Sequence, residues 1–158
     1  MNRRREIGAL LFATALLAGC GSASPYRIRD GKISRMKLLM PVDGTVSSGF
    51  GSRQGGRHDG MDIIAPAGTE VRAAEAGTAV LAGSGLRGYG NAVVLDHGDG
   101  VTTLYGHLES IRVKSPDVVG GGEVLGTVGK TGNATTNHLH FELRVDGVAV
   151  DPSMYLPR

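Results

Sequence analysis

The histidines of this 158-residue chain fall in segments that together could hold a metal ion. His58 and Asp62 lie four residues apart with Gly60 between them. An imidazole nitrogen and a carboxylate oxygen are both good zinc ligands, at about 2.0–2.2 Å. His138 and His140 lie two residues apart, and side chains at that spacing on a strand point to one face. One imidazole of this second pair can bind an ion while the other stands beside it.

The other two histidines, taken singly, favour structural roles. His107 ends a predicted strand and shares a face with Tyr105, which suits a hydrogen-bonded histidine at a strand end. His97 follows an apolar run and has no partner pattern beyond Asp96. Taken together, however, two histidines and one carboxylate leave a fourth tetrahedral position open for water, which is typical of a catalytic zinc site. Further histidines would then handle protons and developing negative charge.

Short β-strands must position these residues. Residues 138–145 alternate strictly, so the even-numbered side chains form a polar face that looks into a cleft or solvent. The odd-numbered side chains are all apolar and form a core face. Further β-type runs cover 78–82, 91–96, 101–108 and 124–128.

Turn residues favour an antiparallel arrangement of these strands. Gly occurs 26 times without a short repeat, which suits a β domain with many tight turns. Asp99-Gly100 and Asp146-Gly147 each lie between two strand runs, and Asp-Gly supplies the positive φ angles of a two-residue hairpin. The sequence therefore predicts an all-β fold with few or no helices.

The first nineteen residues resemble a lipoprotein signal peptide. Residues 3–5 are three arginines, and the apolar run 7–17 is too short to span a membrane comfortably. The run leads into Leu-Ala-Gly-Cys, and Cys20 is the only cysteine of the chain. This pattern resembles the lipobox of bacterial lipoproteins, in which the cysteine becomes the acylated first residue. The alternative is an ordinary cleaved signal peptide followed by an unrelated thiol.

Charge and cysteine content narrow the possible partners. Removal of residues 1–19 takes three arginines and one glutamate from 17 basic and 15 acidic residues, which leaves 14 of each. Composition therefore gives no reason to expect a nucleic-acid partner. A single cysteine excludes an intramolecular disulfide. Residues 20–36 are polar and mixed in charge, and we expect them to form a flexible tether to a folded domain over 37–158.

From residue 40 to residue 156 the chain resembles the LytM/lysostaphin-type zinc metallopeptidases that cut peptide cross-bridges of bacterial cell walls. The motifs that carry this resemblance are specific and spread over the whole domain. They are Ser-Gly-Phe-Gly-Ser-Arg at 48–53, His-x-Gly-x-Asp at 58–62, Ala-Pro-Ala-Gly-Thr at 65–69, Gly-Tyr-Gly-Asn at 88–91, Leu-Tyr-Gly-His at 104–107, His-Leu-His-Phe-Glu at 138–142 and Asp-Pro-x-x-Tyr-Leu at 151–156.

The resemblance implies a role for each of five residues. His58, Asp62 and His140 are implied to bind one zinc ion, and His107 and His138 are implied to be the catalytic pair beside it. One of that pair takes a proton from the attacking water while the other stabilises the tetrahedral oxyanion, and the sequence leaves open which does which. The implied fold is an open, mostly antiparallel sheet or sandwich with a groove, of the duplicated hybrid motif type.

The implied substrate is the stem peptides and cross-bridges of peptidoglycan, cut by a monomer. The scissile bond is either a direct link from D-alanine to diaminopimelate or a bond in a glycine bridge. The lipobox adds a membrane anchor on Cys20 and favours a Gram-negative envelope. Gly21 is not the aspartate that favours retention in the inner membrane, which points to the outer membrane facing the periplasm.

Two other functions would also fit parts of this sequence. A relative without activity could serve as an activator of other wall hydrolases, but such proteins have lost zinc ligands, and all five positions are filled here. A swinging-arm carrier module of the biotinyl or lipoyl type needs an exposed lysine at a hairpin tip. Lys130 is the candidate lysine, but this reading leaves the histidines unexplained.

Overall fold

The computed structural model describes residues 33, 38–53 and 55–157. The signal peptide predicted over 1–19, Cys20 and nearly all of the tether predicted over 20–36 lie outside the described residues. No helix among the described residues is long and apolar enough to cross a membrane. Within these ranges the elements confirm the predicted all-β fold. They are β1 (Thr45–Ser48), β2 (Gly51–Arg53), β3 (Gly56–His58), β4 (Met61–Ile64), β5 (Glu70–Arg72), β6 (Gly77–Gly83), β7 (Asn91–Asp96), β8 (Val101–Ile111), β9 (Val118–Val119), β10 (Val124–Val128), β11 (His138–Val145), β12 (Val148–Val150) and a 3-10 helix (Pro152–Met154).

An antiparallel sheet in the order β1-β4-β11-β8-β7-β6-β9 forms the body of the domain. β10 pairs with β5 and β8, β12 pairs with the end of β11, and β2 and β3 form a separate two-stranded ribbon. The strands β4, β11 and β8 lie side by side in the middle of the sheet. In their register, Asp62 lies opposite His140, and His140 lies opposite Gly106. Residues that are distant in sequence therefore meet on one face of three adjacent strands.

The opposite face of β11 forms part of the core, as its alternation predicts. Its four apolar side chains have no exposure to solvent, and they are Leu139, Phe141, Leu143 and Val145. Burial of each such side chain contributes roughly 1.5–3 kcal/mol. The ring of Phe141 packs at 5.3 Å from the ring of Tyr105 on β8. Ile33, which precedes the sheet in sequence, is also buried in this cluster, at 1% exposure.

Both Asp-Gly turns adopt the predicted positive φ angles, but they close hairpins of different size. Asp146-Gly147 (φ 50° and 75°) is a two-residue turn between β11 and β12. Asp99-Gly100 (φ 52° and 76°) also joins antiparallel strands, as predicted, within a connection of residues 97–100 between β7 and β8. The carbonyl oxygen of Gly98 accepts the amide of Val101, which closes the turn around Asp99 and Gly100, and Gly98 has a positive φ as well.

Candidate metal centre and active site

The structure brings the side chains of His58, Asp62 and His140 together in a tight triangle. His58 Nε2 lies 3.1 Å from Asp62 Oδ1 and 3.2 Å from His140 Nδ1. The third side, from His140 Nδ1 to Asp62 Oδ1, is 2.8 Å. Ligand atoms at about 2.0–2.1 Å from a tetrahedral zinc ion lie about 3.3 Å apart. The three donor atoms therefore fit the size and the chemistry of a zinc site.

Gly60 allows the first two of these residues to approach the third. His58 ends β3 and Asp62 lies in β4, so residue 60 lies in the turn between them. A Cβ atom on Gly60 would overlap the carbonyl oxygen of Phe141 and would come within 3.0 Å of His140 Cε1. The turn can pack directly on β11 only because this residue has no side chain.

Second partners fix which nitrogen of each candidate ligand faces the triangle. His58 Nδ1 lies 2.7 Å from the carbonyl oxygen of Gly49, so Nδ1 carries the hydrogen and donates it. His140 Nε2 lies 3.0 Å from Glu142 Oε1 and donates to that carboxylate. Carbonyl and carboxylate oxygens can only accept, which leaves the other ring nitrogen of each histidine directed at the triangle. Partners of this kind are typical of histidines that bind metals.

His107 and His138 lie beside the triangle, with their ring centroids 4.8 Å apart. His107 Nδ1 donates to the carbonyl oxygen of Thr131 at 2.8 Å, and His138 Nδ1 donates to that of Thr136 at 2.9 Å. His138 Nε2 is 3.8 Å from Asp62 Oδ1. In each case Nε2 is the nitrogen left to exchange a proton with a bound molecule.

A β-bulge places His107 in the site. The expectation that His107 ends a strand is wrong, because β8 continues to residue 111. Strict alternation would put His107 on the same face as Tyr105, which is buried in the core. Instead the register between β7 and β8 shifts by one residue at this point, and His107 has a φ of 64°. The extra residue turns the imidazole away from the core.

Glu142 contacts the candidate site, although the sequence predicts no role for it. The alternation of β11 predicts that it faces a cleft or solvent, yet its side chain has no exposure. Besides His140, it accepts hydrogen bonds from Tyr89 Oη and Arg144 Nε, each at 2.6 Å. Burial would raise the pKa of Glu142, but the hydrogen bonds from His140, Arg144 and Tyr89 lower it to about 2. The i, i+2, i+4 spacing of a histidine, a glutamate and an arginine on one face was the available signal.

The charges at the triangle complement one another. Burial would raise the pKa of Asp62, but the hydrogen bond and charge of His140, with two further histidines, lower it to about 2. Burial would lower the pKa of His140, but hydrogen bonds to Asp62 and Glu142 raise it to about 9. In the absence of a metal, His140 therefore holds a proton between two carboxylates. A metal cation would displace that proton from Nδ1, because a metal ligand must be deprotonated.

The site opens into a cleft of about 430 Å³. Asp62, His107, His138 and His140 line one part of it, and residues 87–89 and 133–135 from two loops line the rest. Burial lowers the pKa of His107, so its imidazole is neutral near pH 7 and can accept a proton. The cleft thus combines a candidate cation site, a proton acceptor and a concave surface.

His97 lies away from this cleft, in agreement with the structural role expected for it. Its Nδ1 bonds the carbonyl oxygen of Ala76, and its Nε2 bonds Thr103 Oγ1, both at 2.8 Å. Thr103 continues the chain of hydrogen bonds to the buried hydroxyl of Tyr105 at 3.0 Å. Both ring nitrogens are used in joining β7 to its neighbours.

Comparison with known proteins gives consistent results. The family model for peptidase family M23 matches residues 56–152. The outer membrane antigenic lipoprotein B of Haemophilus influenzae is 42% identical over 118 residues, covering 75% of this chain and 29% of that protein. The murein hydrolase activator NlpD of Salmonella dublin is 39% identical, with 75% and 31% covered. This chain spans less than a third of the length of these two relatives.

Among solved structures, the catalytic domain of the antimicrobial peptidase lysostaphin from Staphylococcus simulans superposes with a TM-score of 0.66. It is 35% identical, and the match covers 71% of this chain and 91% of that domain. The likeness extends over nearly the entire lysostaphin domain, which confirms the expected fold.

Proposed function

Because this chain belongs to peptidase family M23, we propose that it is a zinc-dependent endopeptidase that hydrolyses peptide cross-links of bacterial peptidoglycan. The observation that carries the proposal is the convergence of five side chains from four strands, four of which line one cleft while His58 lies buried beside them. His58, Asp62 and His140 are the proposed metal ligands. His107 and His138 are the proposed catalytic pair, and each has one ring nitrogen already engaged by a backbone carbonyl.

The proposed chemistry divides between a metal and the protein. Zinc held by His58, Asp62 and His140 would supply Lewis-acid chemistry, by polarising a carbonyl group and lowering the pKa of water. The protein supplies His107 and His138, whose Nε2 atoms accept the proton of the attacking water and donate a hydrogen bond to the tetrahedral oxyanion. The His-Glu-x-x-His helix of many zinc proteases is absent from the sequence, so histidine replaces glutamate in the acid–base role.

Glu142 supports the same proposal from behind the metal site. As a fully buried carboxylate that accepts the Nε2–H of His140, it orients the ring and increases the basicity of Nδ1.

We further propose that the protein is a lipoprotein of the cell envelope, acylated on Cys20 and held at the outer membrane with its domain in the periplasm. The lipobox-like sequence supports this location, as does the similarity to a protein named as an outer membrane lipoprotein. An acyl anchor contributes about 0.8 kcal/mol per buried CH₂ group. We expect the anchored domain to act as a monomer on the nearby wall.

A second candidate function is activation of another wall hydrolase without cleavage. The relative at 39% identity that is named a murein hydrolase activator favours this possibility. The complete set of three candidate ligands and two catalytic histidines favours the enzyme instead. The two functions differ in whether the purified protein cleaves walls by itself.

The decisive experiment uses purified cell walls, the purified zinc-loaded protein and a chelator-treated sample with its metal content measured. We expect cross-linked fragments to be converted to un-cross-linked ones by the zinc-loaded protein and not by the treated one. Undiminished cleavage by the metal-free sample would contradict the zinc mechanism. The activator function would be supported instead if the zinc-loaded protein cleaved nothing by itself, while a second hydrolase cleaved walls faster in its presence than in its absence.

A further inference from the structure

Arg87 is the only lysine or arginine among the described residues that line the cleft. Its side chain is exposed, and its guanidinium makes no hydrogen bond or ion pair with any residue that the structure describes. The other arginines near the site are engaged, since Arg144 bonds Glu142 and Arg57 bonds Asp59. Arg87 is therefore a permanently charged group that faces the cleft with its five donors uncommitted within this part of the chain.

The backbone that carries Arg87 is held firmly against the catalytic elements. The carbonyl oxygen of Gly88 accepts the amide of Asn133 at 3.0 Å, and that of Tyr89 accepts the amide of His107 at 2.7 Å. These bonds tie residues on both sides of the cleft to the segment directly after Arg87. The base of the side chain thus has a fixed position relative to His107.

Contact between two glycines makes this attachment especially close. A Cβ atom on Gly132 would overlap the backbone of Gly90, and a Cβ on Gly90 would overlap residues 131 and 132. The loop of residues 86–91 and the loop after β10 are thus packed backbone to backbone. This packing fixes the backbone from which the Arg87 side chain extends, while the side chain itself stays available to a ligand.

The candidate substrates differ in one group that a guanidinium would recognise. In a direct cross-link to diaminopimelate, the nitrogen of the scissile amide is bonded to a carbon that also bears a free carboxylate. A glycine bridge has no carboxylate at this position. Arginine binds carboxylates through two parallel charge-assisted hydrogen bonds, which are stronger and more directional than neutral ones.

We propose that Arg87 binds the substrate carboxylate next to the scissile amide and so selects direct diaminopimelate cross-links over glycine bridges. The proposal rests on the proposed peptidase function and adds a specificity residue to it. Arg87 positions the substrate and takes no part in proton transfer. The contribution of Arg87 to substrate binding depends on a negative charge in the substrate. A purely structural contribution would be the same for charged and uncharged substrates.

The test compares two synthetic cross-linked peptides that differ only in this group, one with the carboxylate and one with a carboxamide. We expect the wild-type protein to prefer the carboxylate by at least about tenfold in kcat/KM, as expected for a hydrogen bond to a charged group. Arg87→Gln should lose this preference, and Arg87→Lys should retain part of it. Arg112→Gln is the matched control, because Arg112 lies outside the cleft and pairs with Glu70.

An unchanged preference in Arg87→Gln, or no preference in the wild-type protein, would overturn the assignment. A binding measurement tests the role of Arg87 even if the protein turns out not to be a peptidase. The same two peptides are titrated into His138→Ala and into His138→Ala with Arg87→Gln, so that the comparison does not depend on turnover. If the wild-type protein cleaves neither peptide, the peptidase proposal fails, while the ratio of the two dissociation constants still decides the role of Arg87.

Discussion

His140 Nε2 lies 3.0 Å from Oε1 of Glu142, a carboxylate that has no contact with solvent. Glu142→Gln keeps the shape of the side chain and removes its charge, so we expect zinc affinity to fall about 10- to 100-fold. The measurement is a competition titration against a chelator of known affinity. Glu109→Gln, at an exposed position, is the control and should bind zinc normally. Equal affinities in the two variants would show that Glu142 does not support a metal ligand.

Zinc uptake should release a proton at neutral pH. The pKa of His140 is raised to about 9, so below that pH the metal-free protein carries a proton that the ion must displace. Calorimetric titration at pH 7.5 in buffers of different ionisation enthalpy should therefore give different binding enthalpies. Zinc affinity should weaken as the pH falls. Identical enthalpies in all buffers would mean that His140 is not the group displaced.

The same raised pKa has a consequence for the metal-free protein. A histidine with a folded-state pKa above its unfolded value of 6.5 stabilises the fold fully below pH 6.5. That contribution is lost as the pH rises through about 9. We expect the free energy of unfolding of the metal-free protein to decline over this range, and His140→Gln to remove this part of the pH dependence, as measured by urea unfolding.

The two histidines of β11 should separate binding from turnover. His140→Ala removes a proposed ligand and should abolish stoichiometric zinc binding. His138→Ala removes a proposed catalytic group and should keep zinc while turnover falls by at least about 100-fold. Elemental analysis and cleavage of purified walls provide the two measurements. Equal zinc content and equal rates in the two variants would refute this division of roles.

Gly60→Ala should impair the metal site without any change to a ligand. Its Cβ would overlap the Phe141 carbonyl, so the β3–β4 turn must shift away from β11 and carry two ligands with it. We expect lower zinc affinity and a destabilisation of at least about 1 kcal/mol. Gly85→Ala is the control, since nothing lies within 4 Å of a Cβ there. A Gly60→Ala protein with normal zinc affinity would contradict the proposed close approach.

The sequence predicts strand bounds most accurately where a local pattern alone determines them. The bounds predicted for β7, β10 and β11 agree with the structure. Flanking turn residues bound the β-type runs of β7 and β10, and alternation identifies β11. Asp62 and His140 each belong to a recognisable spacing of possible metal ligands. Neither segment alone predicts that the two residues lie opposite each other on β4 and β11, and only the family resemblance implies that they are close.

Other features depend on contacts between segments and could not be read from local pattern. A bulge at His107 overrides alternation, because the register between two strands decides where the extra residue falls. Glu142 is buried because Tyr89 and Arg144 cover and neutralise it, and only the fold brings Tyr89 there. The role proposed for Arg87 has no local sequence pattern, because it depends on loop contacts that bring residue 87 to the cleft.

The sequence separation between two of the proposed metal ligands has a consequence for the stability of the fold. His58 and His140 are 82 residues apart, and their ring nitrogens lie 3.2 Å from each other. A metal ion bound by both residues would be a cross-link that closes a loop containing most of the sheet. For a covalent cross-link over a loop of this length, the loss of chain entropy in the unfolded state corresponds to about 4–5 kcal/mol. In a chain whose single cysteine cannot form an internal disulfide, such an ion would also cross-link the fold and add to the stability that the core supplies.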